Sequence, residues 1–174
     1  RVNGRWHVTA GEQAFVADLV INAAGAWASH IAQIAGAQDI LIQPFRRSVA
    51  RIPAPADLDV SAWPILFGPG ETWYAKPDAG ALIISPADED PVDAHDAWAD
   101  DITLAEGIAR YQDVVTEEVT RIISNWAGLR SFSPDRNLVL GFDQQAPGFF
   151  WCAGQGGYGM QSSPATGQLV ADLI

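Results

Sequence analysis

Trp151-Cys152-Ala153-Gly154-Gln155-Gly156-Gly157-Tyr158-Gly159-Met160-Gln161 is the stretch whose reading decides the fold. The apolar run from Gly148 to Ala153 predicts a buried strand. Four glycines within six residues then break it, and a helical pattern resumes through Ser162, Gly167, Leu169 and Val170. A strand–glycine–helix junction gathers backbone N–H groups at a helix N-terminus, where the partial positive charge favours an anion or an electron-rich carbonyl. Glycines there let a flat ligand approach the backbone closely. An ordinary tight strand-to-helix turn would carry the same pattern.

A second unit of this kind lies near the start. Arg5 to Thr9 and Ala14 to Ile21 read as strands separated by Gly11-Glu12. The second strand is close to continuously apolar, as a strand covered on both faces would be. It runs into the small-residue turn Asn22-Ala23-Ala24-Gly25-Ala26-Trp27, followed by a helix from about Ala28 to Ala35 that ends at Gly36. Such a β–loop–α unit suits a backbone-lined wall beside a cofactor.

Between these two units the pattern changes. Leu41 to Ile52, Trp63 to Phe67, Thr72 to Lys76 and Ala81 to Ser85 read as strands joined by Pro- and Gly-bearing turns, which argues for an antiparallel sheet. Ser85 to Asp101 is acidic and Pro-bearing and reads as an exposed loop with solvated carboxylates. Leu104, Ile108, Tyr111, Val115 and Val119 recur at helical spacing, which predicts a long amphipathic helix from Ile102 to about Ile123. Trp126 to Phe132, a turn at Ser133-Pro134-Asp135 and a strand at Leu138 to Phe142 lead back to the opening stretch.

Composition bounds the function. The chain has 174 residues, 48% of them hydrophobic, with seven Trp and seven Phe, which excludes a disordered class. A net charge of −11 argues against nucleic acid, whose phosphates it would repel. No apolar run approaches the roughly 20 residues of a membrane helix. One Cys and three scattered His form neither an intramolecular disulfide nor a recognisable metal set. A cytoplasmic location is the expectation. The ends of the sequence suggest a fragment of a longer protein.

Three cations stand out. Arg46, Arg47 and Arg130 lie among apolar and small residues, where a guanidinium needs a partner. Its planar fork suits a carboxylate, from the protein as an internal salt bridge or from a ligand. In Thr72-Trp73-Tyr74-Ala75-Lys76-Pro77, alternation puts Tyr74 on the face opposite Trp73, where its phenol could join a carboxylate site or simply pack. His30 and His95 read as structural or solvent-facing.

Together these segments resemble the C-terminal half of the FAD-dependent D-amino-acid oxidase-like superfamily, which includes glycine and sarcosine oxidases. The most specific resemblance is to flavoenzymes of the D-arginine dehydrogenase type. It is carried by Val20 to Trp27, Gln43-Pro44-Phe45-Arg46-Arg47-Ser48, Tyr74 to Gly80, Asp90 to Asp96, Trp126 to Phe132, and Gln155 to Gln161. The resemblance implies an α+β or α/β fold made of two parts. Residues 1–39 and 127–174 would be the C-terminal part of an FAD-binding Rossmann-like domain, and 40–126 an antiparallel substrate-binding domain. It implies that Arg47 and Arg130 clamp a substrate carboxylate with Tyr74 in the pocket wall. It implies that Ala24, Gly25, Ala26 and Trp27, with Gly157, Tyr158, Gly159, Met160 and Gln161, border the flavin.

The implied reaction is hydride transfer from the substrate Cα to flavin N5, giving an imino acid. A glycine- or sarcosine-oxidase-like activity, or a flavin-less module of the same fold, are the alternatives. The resemblance implies that the family's N-terminal strand–helix, whose G-x-G-x-x-G holds the FAD diphosphate, is not among these residues, so the FAD, held non-covalently, would depend on a missing N-terminal half as partner. Cys152 reads as a core residue, and no cysteine stands at Gly128-Leu129-Arg130, where covalent attachment would need one.

Overall fold

The computed structural model describes residues 1–55 and 58–174. The chain divides into two units, Arg1–Pro44 with Arg130–Ile174, and Phe45–Leu129.

The first unit opens with a hairpin, β1 (Trp6–Ala10) and β2 (Gln13–Ala17), paired from Trp6↔Ala17 to Ala10↔Gln13. Strand β3 (Val20–Asn22) follows, then the turn at 23–27 and helix α1 (Ala28–Ala35). The unit is completed by β10 (Val139–Phe142), β11 (Phe149–Ala153) and α3 (Gly159–Leu173). Its three-stranded sheet runs β10-β11-β3, with β11 antiparallel to β10 and parallel to β3. The core gathers Trp6, Ala28, Ala32, Ile42, Phe149, Trp151 and Ala153. The small faces of Ala28 and Ala32 let α1 seat closely against those aromatics.

One expectation fails here. The run Ala14 to Ile21 is two strands, and its apolar residues are not covered on both faces. Phe15 and Val16 are 52% and 48% exposed, because β2 belongs to a two-stranded hairpin that buries little beyond Trp6. Only β3, after the break at Asp18-Leu19, enters the parallel sheet.

The second unit is built on β4 (Gln43–Pro53), β5 (Leu66–Phe67), β6 (Tyr74–Asp78), β7 (Ala81–Ser85), β8 (Asp90–Pro91), α2 (Asp101–Gln112) and β9 (Ser124–Phe132), the last running on into the first unit. Antiparallel pairing links β5, β6, β7 and β4 in that order, and β9 also pairs with β4. Ala50, Ile52, Ala75, Leu82 and Ile84 point to one face and pack with Trp73, Leu104, Ile108 and Tyr111. Period-two alternation on the strands and period-3.6 spacing on α2 produce this core.

Two further expectations are corrected. Helix α2 stops at Gln112, not near Ile123, and Val115 and Val119 reach the core from irregular chain. The β-branched Val114, Val115 and Thr116 weaken helix continuation beyond the cap at Asp113. The strand expected over Trp63 to Phe67 is only Leu66–Phe67. No helix among the described residues is long and apolar enough to cross a membrane.

Candidate functional site

Two turns leave the same end of the first unit's sheet. Because β3 and β11 are parallel, with Val20↔Phe149 and Asn22↔Trp151, the chain exits both strands at their C-terminal ends, the ligand-binding edge of an α/β sheet. Asn22 shapes the first turn. It is 1% exposed, donates to the Ala28 carbonyl at 2.9 Å and accepts from the Ala24 N–H at 3.3 Å. Gly25 takes a positive φ of 57° with open space where a Cβ would stand. Ala24 and Ala26 are half-buried, and Trp27 is 44% exposed.

The second turn is shaped by β9. The Gly156 N–H donates to the Ser131 carbonyl at 2.9 Å. A Cβ on Gly156 would come within 2.2 Å of the Phe132 ring, and one on Gly157 within 2.8 Å of Arg130 Nη1. These two glycines are therefore required first by the close approach of protein side chains. The Tyr158 hydroxyl donates to the Arg136 carbonyl. Among the described residues no side chain caps α3, and within its start the Ser162 N–H reaches the Tyr158 carbonyl at 3.1 Å. The N–H groups of Gly159, Met160 and Gln161 thus stand at an uncapped helix N-terminus, with Met160 93% exposed and Gln161 exposed.

Arg130 lies against Gly157, half-buried, and among the described residues its guanidinium has no hydrogen-bond or ion-pair partner. The adjoining framework is held by Asp143. Its buried carboxylate accepts from the N–H groups of Gln38, Gln145 and Ala146 and from the Trp151 indole at 2.7–3.0 Å. Burial pushes the Asp143 carboxyl up, but the Trp151 indole and these three N–H groups outweigh it and hold the carboxyl below its ordinary value. Cys152 is partly buried, and that burial raises its thiol.

In the second unit, Arg47 and Tyr74 share the sheet face opposite the core residues Ala50, Ile52, Ala75 and Ile84. Tyr74 is half-buried beside Phe67, their ring centroids 6.1 Å apart, while Trp73 is buried as alternation requires. Arg47 is 13% exposed and lies 3.7 Å from Glu89. Its neighbour Arg46 is an internal salt bridge, 3.5 Å from Asp88 and 2.7 Å from Asp90.

The acidic segment departs from the exposed loop expected of it. The Asp88 side chain is only 3% exposed, accepting from the Ser48 N–H and hydroxyl at 2.7 Å each. Asp100 caps α2 through the Thr103 N–H at 2.8 Å. Sequence reasoning missed both; the Asp-x-x-Thr spacing at Asp100 could have disclosed the second. His30 and His95 are exposed.

Residues 1–173 match the family model described as FAD dependent oxidoreductase. FAD-dependent oxidoreductase domain-containing protein 1 of Xenopus laevis is 29% identical over 178 residues, covering 93% of this chain and 36% of the relative. The structure of glycine oxidase from Geobacillus kaustophilus superposes with a TM-score of 0.79 at 25% identity, covering 94% of this chain and 43% of that one. L-α-glycerophosphate oxidase from Mycoplasma pneumoniae with FAD bound shares the fold, with a TM-score of 0.83 at 17% identity, 99% of this chain and 47% of that one. The chain thus spans less than half the length of these proteins. With a mixed fold and a family-model match over nearly its whole length, the chain belongs to the FAD-dependent oxidoreductase family.

Proposed function

We propose that the parent protein oxidises an amino acid or a similar small amine at its Cα, giving an imino acid that water hydrolyses. The observation that carries this reading is Arg130. A half-buried guanidinium with no partner among the described residues, held against a glycine at the binding edge of a sheet, calls for an external carboxylate. The resemblance to the D-arginine dehydrogenase type favours a D-amino acid. The likeness to a protein named glycine oxidase favours glycine or sarcosine as the second reading.

The residues of this chain fit a flavin. Open space at Gly25 and the uncapped start of α3 give a backbone-lined edge with free donors. In this reading Ala24, Gly25, Ala26 and Trp27 hold FAD from one turn, and Gly157, Tyr158, Gly159, Met160 and Gln161 from the other. Bound FAD supplies the acceptor for the hydride leaving Cα. The oriented N–H groups of α3 favour negative charge at their end of the helix. Arg130 binds the substrate carboxylate and spends that binding energy on orientation. In the second unit, Arg47 is assigned as a carboxylate ligand and Tyr74 as pocket wall.

The test is anaerobic mixing of the full-length, FAD-loaded protein with D-arginine, glycine and sarcosine in turn. Bleaching of the flavin absorption with release of the matching oxo acid supports the proposal, and the fastest substrate decides between the two readings. A flavin that none of these, nor any other amino acid, bleaches would sink it.

A further inference from the structure

We propose that the second unit carries a binding site for a small primary amine with a hydroxyl or carbonyl at its other end, in the cavity between the end of β4 and the chain that follows α2. The site is distinct from the residues assigned to the substrate. Ile52 and Tyr111, which line the cavity, belong to the core, whereas Arg47 and Tyr74 lie on the opposite face of the sheet.

The cavity follows from how α2 ends. Beyond Asp113 the chain is irregular until it meets β4, where the Ile123 N–H donates to the Arg51 carbonyl at 2.7 Å. Val115 and Val119 anchor this return against the core, as Ala54 does from the β4 side. Ala54 is too small to fill the space between, and Pro53 and Pro55 stiffen the backbone on either side of it. The space measures about 260 Å³. That far exceeds the roughly 10–15 Å³ one water needs, and it comes close to the lower bound of small-molecule sites, about 300 Å³.

Its lining is polar at two places and apolar between them. At the inner end Tyr111 is 3% exposed, its ring edge-on to Trp73 with centroids 5.4 Å apart. Among the described residues its hydroxyl makes no hydrogen bond. A phenol taken out of water and left unpaired is unfavourable. Burial pushes it above its ordinary 10.0, so it stays a neutral donor. At the mouth stand Glu117 and Glu118, both exposed and without an ion-pair partner among the described residues. Ile52, Ala54, Pro55 and Val119 form the walls between, and no Lys, Arg or His is among the described lining residues. Two acids and no base at the mouth favour a cation and repel an anion. The hydroxyl calls for an acceptor at the ligand's inner end, and the walls for a short carbon chain in the middle. Amino alcohols, amino ketones and amino amides have that order of groups.

The test is calorimetric titration of the full-length, FAD-loaded protein with straight-chain aminopentanol, hydroxyl and amine at opposite ends, and with pentylamine, which lacks the hydroxyl. Tyr111→Phe is expected to weaken aminopentanol about tenfold and to leave pentylamine unchanged. Its Tm should be unchanged or higher, since the lost hydroxyl had no protein partner. Glu117→Gln combined with Glu118→Gln should weaken both amines about tenfold. Ala54→Leu, which fills the cavity from its wall, should abolish the binding that Tyr111→Phe weakens. Failure of the unaltered protein to bind aminopentanol overturns the proposal. So does a Tyr111→Phe variant that binds it as before, loses both amines equally or has a lower Tm. Undiminished binding in Ala54→Leu would place the amine elsewhere and overturn it too.

Discussion

Arg130 and Gly157 form a single unit of design, because the guanidinium stands close enough to crowd any Cβ there. Gly157→Ala would put a methyl 2.8 Å from Nη1 and 3.0 Å from Cζ, and the guanidinium has to move. The expected result in the full-length enzyme is a KM for the amino acid raised about tenfold, with kcat changed much less. Asp143 is a structural counterpart. Its folded-state carboxyl lies below the ordinary 3.8, so the stability it contributes is present above that value and is lost as the pH falls through the lowered one. Asp143→Asn would turn an amide donor toward N–H groups that now share two acceptor oxygens. It should cost about 2 kcal/mol near neutral pH and flatten the acid limb of a plot of Tm against pH.

At the scale of elements, helix α2 and the chain that follows β7 depend on each other. Arg110, on α2, donates to the Thr72 and Pro86 carbonyls at 3.2 and 3.3 Å. Gly107 lets the helix close on Pro86, since a Cβ there would lie 2.6 Å from Pro86 Cβ and 2.7 Å from its Cα. Alanine is the better helix former by roughly 1 kcal/mol, yet the clash involves backbone that cannot turn aside, so overpacking of about 1–3 kcal/mol wins. Gly107→Ala should therefore lower Tm; an unchanged or higher Tm would show that α2 can shift away from Pro86.

Elements with a clean local signal were legible in the sequence. Ala28 to Ala35 with its terminating Gly36, and Ala81 to Ser85, lie where periodicity and turn residues put them. What the sequence hid was set by pairing partners. Nothing local distinguishes β2, in an exposed hairpin, from β3, in a parallel sheet, since both are short apolar runs. The bulge at Ala87 and the burial of Asp88 arise from the register of β7 and β8 on β4, which no spacing encodes. In sequence, the glycines of the opening stretch signal room for a ligand. Contacts from Phe132 and Arg130, distant in sequence, give Gly156 and Gly157 a second and prior reason.

At the scale of the whole molecule, each unit carries proposed binding residues of its own, Arg130 and the two turns in the first and Arg47 and Tyr74 in the second. Each unit has its own core, so substitutions on the binding faces leave the main packing intact and read out on ligand binding. The central proposal is that Arg130, without a partner among the described residues, binds a substrate carboxylate. Its most direct test is Arg130→Ala in the full-length, FAD-loaded enzyme, with steady-state kinetics on the best amine substrate. Loss of a charge-assisted carboxylate contact predicts a KM about 10- to 100-fold higher, with flavin content and Tm close to those of the unaltered protein. An unchanged KM would contradict the account.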